Sequence, residues 1–417
     1  MRKGTFNKVV LFSVIVFLVL IAPAELNLPN QSNIRAICTG LAVDQSEKNE
    51  DELMLTAQIL IPKAGGQYSQ SMSLATAEGP SVMEALNNME FNVGKKIRLE
   101  HCFFIIIGEK AAEQNIAKTL DYFVRGNNTG INTMLLQAKG LAKDLISVAS
   151  NTSTNDIDNI QTLLRYNDKH MATKEANLKS FFHDYLSPHK TSFMSCLDTF
   201  SSGDSGGGDQ SGGSSGESGD SQPKEAQTNN DSGQTASTDQ IKNDGSVAVF
   251  YEGKLATILT PQERKYFNWL DYQINENLVE LYNITDKTFN NATLGYTITS
   301  KEMDYELDIK NNTPRIFIDY KLNLRMEMIL QEDGTSLPNK TYISEEVTKA
   351  FNNKVSEEVT KAMDIQKEYG FDAFNYYKMF NKRMNGEWQK YLQSLENESD
   401  YMKNIEVFVK VEVRSLI

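Results

Sequence analysis

The chain predicts an α+β or mixed α/β protein of several domains, with mixed sheets and helices packed on them. Three features of its pattern carry that expectation. Residues 34–195 switch repeatedly between a period of two and a period of 3.6, as alternating strands and helices do. Residues 201–240 then hold only Ala226 and Ala236 as apolar residues and no aromatic, so the chain divides there. After that break, long alternating stretches and amphipathic helical stretches predict a C-terminal domain of long antiparallel strands covered by helices. The full length of 417 residues suits two or three domains, and 40% hydrophobic content is ample for their cores.

Arg2, Lys3 and Lys8 precede an apolar run from Val9 to Ile21, broken by Ser13 and followed by Ala22-Pro23-Ala24 and Glu25. A basic start, a short apolar stretch and an A-x-A ending are the parts of an export signal. The run covers 13 residues, short of the roughly 20 that a spanning helix takes. Residues 1–24 are therefore a cleaved signal peptide or a retained N-terminal anchor, and in either case residues beyond Glu25 lie outside the cytoplasmic membrane.

The N-terminal mixed α/β domain is expected over 25–200. Leu53, Leu55, Ala57, Ile59 and Ile61 alternate with Met54, Thr56, Gln58 and Leu60, a strand with one more apolar face, stopped by Pro62. Ser81 to Glu84 has the spacing of a capping box, and Val82, Ala85, Leu86 and Met89 continue it as a helical stripe. Cys102 to Ile107 is uniformly apolar and ends at Gly108, as a strand buried on both faces does. Ala112, Ile116, Leu120 and Phe123 mark one helix face, ended by Gly126-Asn127-Asn128. Ile131–Ala138 predicts a strand and Leu141–Val148 a helix.

Residues 201–244 read as a disordered acidic linker rich in Gly and Ser. Nine of the 25 glycines fall between Gly203 and Gly233, and seven acids face Lys224 alone in 201–240. Such a segment cannot bury enough surface to offset its ordering entropy. Its acids lack the spacing of a calcium loop.

Order resumes in a small middle unit over 245–286. Val247–Tyr251 and Lys254–Leu259 flank Glu252-Gly253, a hairpin signal. Thr260-Pro261-Gln262-Glu263 supplies an N-cap, a first-turn proline and a capping glutamate for a helix to about Leu270. In the C-terminal α+β domain, 287–417, Ile316 to Met328 alternates over 13 residues, on the order of 45 Å of half-buried strand. Val347, Phe351, Val355, Val359 and Met363 recur every fourth residue and form the covering helix. A heptapeptide at Ser344–Ala350 recurs at Ser356–Ala362; twelve residues are about three and a third turns, so the copies point differently. After Gly370, a second helix carries Phe374, Tyr377, Met384, Trp388, Tyr391 and Leu395, an aromatic stripe of the core-packing kind. Ile405 to Arg414 closes the chain as a strand.

Composition excludes some functions. The formal charge of −13, without a basic cluster, argues against nucleic-acid binding. The four histidines, His101, His170, His183 and His189, form no metal motif, and no P-loop, nucleophile elbow or dinucleotide fingerprint is present. No catalytic, cofactor-binding or metal-ligating residue is assigned, and no cofactor. His183-Asp184 and His189 flank a Ser-Pro in what reads as a polar loop; a nucleophile pair with Cys196 is the weakest of the readings. Cys38, Cys102 and Cys196 are too few for a disulfide framework; buried thiols are the plain reading, and one disulfide with one odd thiol the other. The triplets at Asn283 and Asn291 mark surface at most.

Several stretches together resemble a known family. They are Glu25-Leu26-Asn27 with Arg35 to Asp44; Ala77-Glu78-Gly79 through His101-Cys102 to Gly108; Gly245-Ser246 through Gly253 to Trp269-Leu270; the helix around Tyr369-Gly370-Phe371-Asp372; and Val407 to Arg414. In this order and spacing the chain resembles the Ger(x)C family, the C subunits of bacterial spore germinant receptors. The resemblance implies a non-enzymatic subunit on the outer face of the spore inner membrane. It would act beside an A subunit and a multi-spanning B subunit in nutrient sensing that triggers germination, with a small-molecule germinant reached through the complex. The family has no established catalytic residues to carry over. Members have a lipobox cysteine followed by Trp-Asp before the Glu-Leu-Asn position, where this chain has Ala22-Pro23-Ala24. At the level of sequence a second reading therefore stands beside it: a secreted or surface-exposed two-module binding protein unrelated to germination.

Overall fold

The computed structural model describes residue 12 and residues 35–62, 70–125, 129–151, 176–201, 239–271, 277–331 and 342–415. The expected leader, apart from residue 12, His170, and linker residues 202–238 lie outside them.

Two sheets organise the molecule. The first has ten strands in the order β10-β9-β7-β6-β5-β1-β2-β3, with β4 on β1 and β8 on β7. Its members are β1 (Arg35–Gln45), β2 (Leu53–Pro62), β3 (Gln70–Gly79), β4 (Lys96–Arg98), β5 (Phe104–Ile107), β6 (Met134–Ala138), β7 (Thr191–Ser201), β8 (Asp239–Lys242), β9 (Val247–Tyr251) and β10 (Lys254–Leu259). β1, β5, β6 and β7 run parallel, and antiparallel strands extend the sheet on both sides. Helices cover both faces. α1 (Val82–Val93), α3 (Ile116–Val124) and α5 (Leu178–Tyr185) lie over Ile105 and Ile107, and α4 (Ala142–Asn151) lies over Phe104 and Ile106.

This double cover explains a difference from the sequence pattern in β2. Alternation predicts one wetter face, yet Met54, Thr56 and Gln58 are all buried. The polar members are satisfied rather than solvated: Gln58 Nε2 donates to Ser150 Oγ of α4 at 3.0 Å, and Thr56 pairs with Thr76 across the sheet.

Other expectations shift locally. Ser81 accepts the Glu84 amide at 3.2 Å, while the full reciprocal box forms at Thr260–Glu263. Cys102 and Phe103 are not part of β5, because Leu99–Cys102 turns first. The helix expected through Ala112 and Phe123 is broken into α2 (Glu109–Glu113) and α3, where Asn115 accepts the Ala117 amide and restarts the chain. The polar stretch around His183 is helix α5, capped reciprocally by Asn177 and Ser180.

The second sheet has the order β11-β12-β13-β14, from β11 (Asn277–Ile284), β12 (Ala292–Lys310), β13 (Thr313–Leu330) and β14 (Glu406–Ser415). β11, β12 and β13 are antiparallel, and the last strand joins β13 in parallel. The sheet's inner face is covered by α7 (Glu345–Tyr369), whose Val347, Phe351, Val355, Val359 and Met363 are buried as their spacing predicts. The single helix expected after Gly370 is instead α8 (Tyr376–Arg383) and α9 (Asn385–Gln393), broken at Met384. The break lets Trp388 fold back and stack on Phe380 at 4.9 Å, edge-on to Tyr377 and Tyr401. The aromatic stripe is therefore filled core.

The middle unit expected at 245–286 is divided. β9 and β10 are hydrogen-bonded through β7 into the first sheet, whereas β11 opens the second. The reason is β7 itself: its Thr191–Ser195 edge would otherwise be unpaired, and β9 satisfies it residue by residue. β8 pairs Asp198–Ser201 along the same edge, so residues 239–242 of the stretch read as linker form a strand.

Candidate functional site

Parallel sheets present ligand crevices at the carboxyl ends of their strands. Here that position is occupied by the chain's own groups. Asp44, at the end of β1, accepts the Ala142 and Lys143 amides of α4 at 2.7 and 2.9 Å, filling the anion position of that helix. Burial pushes the Asp44 carboxyl up to about 6, against those two amides. Gly108 leaves it room, since a Cβ there would sit 2.0 Å from Asp44 Oδ1. Beside it, Glu109 accepts the Gly140 amide, and Lys139 donates to Asp244 at 2.6 Å and to Ser246 at 2.9 Å. This arrangement binds strand ends to one another, and its donors and acceptors are spent internally.

The more informative site is the seam between the two sheets. Val249 of β9 faces the second core while Ala248 and Phe250 face the first, so one strand serves both. The hairpin leads into α6 (Pro261–Asn268), whose carboxyl end meets the second sheet. A bulge between Ile298 and Ser300 reverses the side-chain parity of β12 and turns Lys301 inward. Lys301, 8% exposed, donates to Asn268 O at 2.7 Å and reaches the Asp271 carbonyl. A cation at a helix carboxyl end answers both the unpaired carbonyls and the dipole. Burial nevertheless pushes its pKa down to about 8.

Tyr320 donates to Trp269 O at 2.8 Å, and Tyr305 to Leu270 O at 3.3 Å. The Trp269 indole lies edge-on to Tyr320 and donates to Glu358 of α7 at 2.5 Å. One residue thereby ties α6 to both layers of the second module.

The second half of the seam is the loop after α7. Gly370, at φ 72°, ends the helix in the left-handed conformation that favours glycine. Asp372 follows, fully buried, and its carboxylate accepts the amides of Phe374, Tyr376 and Tyr377 and the Tyr401 hydroxyl at 2.9–3.2 Å. Its own amide donates to Thr191 Oγ1 at the start of β7, and Thr191 donates on to His189 O. Burial raises Asp372 while the Tyr376 and Tyr377 amides, the Tyr401 phenol and His189 lower it; burial lowers His189 while Asp372 and Asp184 raise it. Phe267 of α6 stacks on Phe371 and Phe374, joining the two halves.

His183 and His189, noted in the sequence, both lie against Asp184, at 3.1 and 3.9 Å, but differ in exposure. His183 is exposed beside Asp184, whereas His189 is buried at the seam and paired with Ser187. Cys196 is not assembled with them; it is buried along β7, its thiol pushed up to about 12 by burial. The roles of Lys301 and Thr191 were not readable from sequence: a lone lysine in an alternating strand and a threonine in a loop give no signal until the bulge and the strand pairing exist. Among the described residues no group of three or more His, Cys, Asp or Glu could hold a metal, and no helix is long and apolar enough to cross a membrane.

Comparison with known proteins follows the same division. Residues 30–199 match a family described as "Spore germination protein N-terminal domain", and residues 245–415 one described as "Spore germination B3/ GerAC like, C-terminal". Two Bacillus subtilis (strain 168) proteins are similar over shorter stretches. YfkR, whose name assigns it provisionally to spore germination, is 26% identical over 110 residues, 24% of this chain and 29% of its own length. Spore germination protein B3 is 27% identical over 112 residues, 26% of this chain and 29% of its own length. The chain thus matches under a third of either relative. The crystal structure of the GerBC protein has a similar fold, with a TM-score of 0.51 at 14% identity over 91% of this chain and 97% of the other. The residues at the seam, Trp269, Tyr401 and Asp372, fall in the second matched segment, while Thr191 and His189 fall in the first.

Proposed function

The chain belongs to the Ger(x)C family of spore germination proteins, and from that premise we propose that it is a non-enzymatic C subunit of a germinant receptor, coupling its two sheet modules within the complex. The observation that supports this most is the shared seam. The segment beginning at residue 245 gives two strands to the first sheet before it builds the second. A displacement of one module must therefore strain β7–β9 pairing, the Trp269 contacts or the Asp372 loop. Such a body transmits position; its buried carboxylates and lysine cap helices.

In this reading the protein stands on the extracytoplasmic face of the spore inner membrane, with an A subunit and a multi-spanning B subunit as partners. Residues 1–24 hold it there, or the partners do, since no lipobox cysteine is available to carry a lipid. Tagging the full chain and purifying it from spore membranes tests the proposal. Recovery with the A- and B-type proteins is the expected result. Loss of germination with nutrient in the deletion strain, paralogues removed, is the second. The absence of the lipobox favours one other reading, a secreted two-module binding protein; recovery of the chain from culture medium, with none in spore membranes, would overturn the receptor assignment in its favour.

A further inference from the structure

Cys38, Cys102 and Cys196 are all buried and reduced in the structure, but they are not equivalent. Cys38 lies on β1, and Cys102 closes the Leu99–Cys102 turn that leads into β5. Both side chains enter the core beneath α1 and α3. The two segments run side by side: Phe103 N donates to Thr39 O at 2.9 Å, and Gly40 and Phe104 are register partners. Neighbouring strands lie about 4.8 Å apart, inside the roughly 4.4–6.8 Å between Cα atoms that a disulfide spans. The thiols are alike in setting, Cys38 donating to Gly40 O at 3.2 Å and Cys102 to Phe104 O at 3.3 Å, and Cys38 together with burial pushes the Cys102 thiol well up. Cys196 has no such neighbour; Lys139, Asp244 and Glu109 are the charges it feels.

We infer that Cys38 and Cys102 form a dithiol–disulfide pair, a covalent modification site that clasps β1 to the turn before β5. The oxidant is a low-molecular-weight disulfide. One cysteine thiolate attacks a sulfur of that molecule and releases one small thiol; the other cysteine thiolate displaces the second. Two protein S–H bonds are lost and one S–S bond forms, while the oxidant takes two electrons and two protons to leave as two thiols. The turn supplies access. Glu100 and His101 are exposed and Phe103 is 43% exposed on either side of Cys102, so opening this turn presents one thiol without separating the strands of the sheet. The enclosed loop contains β2, β3, α1 and β4, all on the side of the sheet away from the seam.

The inference is independent of the germination reading. The test incubates the purified full chain with oxidised glutathione under native conditions, quenches with acid, denatures, alkylates and maps peptides. The expected result is a fall from three alkylatable thiols to one, with the Cys38 and Cys102 peptides joined and Cys196 alkylated; reduction restores all three. Cys196→Ser forms the same bridge, and Cys102→Ser forms none. Three persisting thiols, a stable glutathione adduct without closure, or a bridge that includes Cys196 would each overturn the inference. Because the wild-type measurement decides alone, a variant that fails to fold does not blunt it.

Discussion

Lys301→Met is the sharpest probe of the seam, because its effect can be worked from the buried ammonium alone. An unfolded lysine titrates near 10.4, whereas burial against α6 brings Lys301 down to about 8. The folded state therefore binds fewer protons than the unfolded state between those values, and stability must rise with pH across that window. Holding the charge at pH 7 costs about 3 kcal/mol by this reckoning. Integrated from pH 7 to pH 9, the gain is about 1.3 kcal/mol, or about tenfold in the folding equilibrium. Lys301→Met lacks this contribution, whatever its own baseline loses by leaving Asn268 O without the ammonium. Urea unfolding at both pH values, followed by tryptophan emission, reads the effect directly, since Trp269 and Trp388 are the chain's two tryptophans and both lie in the second core. The wild type should gain about 1.3 kcal/mol more than the variant over that interval. Equal gains in the two proteins, or a larger gain in the variant, would refute the idea that Lys301 is held charged in a desolvated cap.

Three further outcomes follow from the same geometry. Gly108→Ala should cost about 1–3 kcal/mol in thermal or urea unfolding by pushing Asp44 from its cap, and much less in an Asp44→Ala background, where the clashing oxygen is gone. Asp372→Ala should lose about 3–5 kcal/mol, since four donors, two of them buried, lose their acceptor; in the milder Asp372→Asn, an NMR titration should find His189 lower than in the wild type, because the carboxylate that raises it is gone. Trp269→Phe keeps the ring contact with Tyr320 but removes the donor to Glu358, for an expected loss of about 1–2 kcal/mol in the same urea measurement.

Much of the architecture follows from periodicity, and the places where it does not are instructive. The four-residue spacing of Val347 to Met363 identifies both the helix and its buried face, because a single apolar stripe has one stable disposition over a sheet. β2 was half legible: its alternation is real, but burial of Gln58 depends on α4, some 90 residues away in the chain. The break at Met384 depends on Trp388 finding Phe380, a contact with no local signature. The aromatic stripe itself was readable as core. His189 looked like a loop residue because nothing near it in sequence reveals that Asp372 will lie beside it.

The family motifs separate in the same way. Sequence alone determined the two ordered regions, the polar interruption between them, the absence of any recognised catalytic motif, and a pattern shared with spore germination proteins, because composition and hydrophobic period are local properties. Tertiary structure decided where the modules join. The hairpin at 247–259 reads as a compact unit, yet its hydrogen bonds go to β7, whose open edge must be paired. Lys301 becomes a helix cap only because one bulge reverses the face of β12, and Asp372 becomes a clasp only because the loop after Gly370 meets Thr191, 181 residues away. Desolvated polar groups require partners wherever the chain can bring them, and sequence spacing does not limit which residues those are.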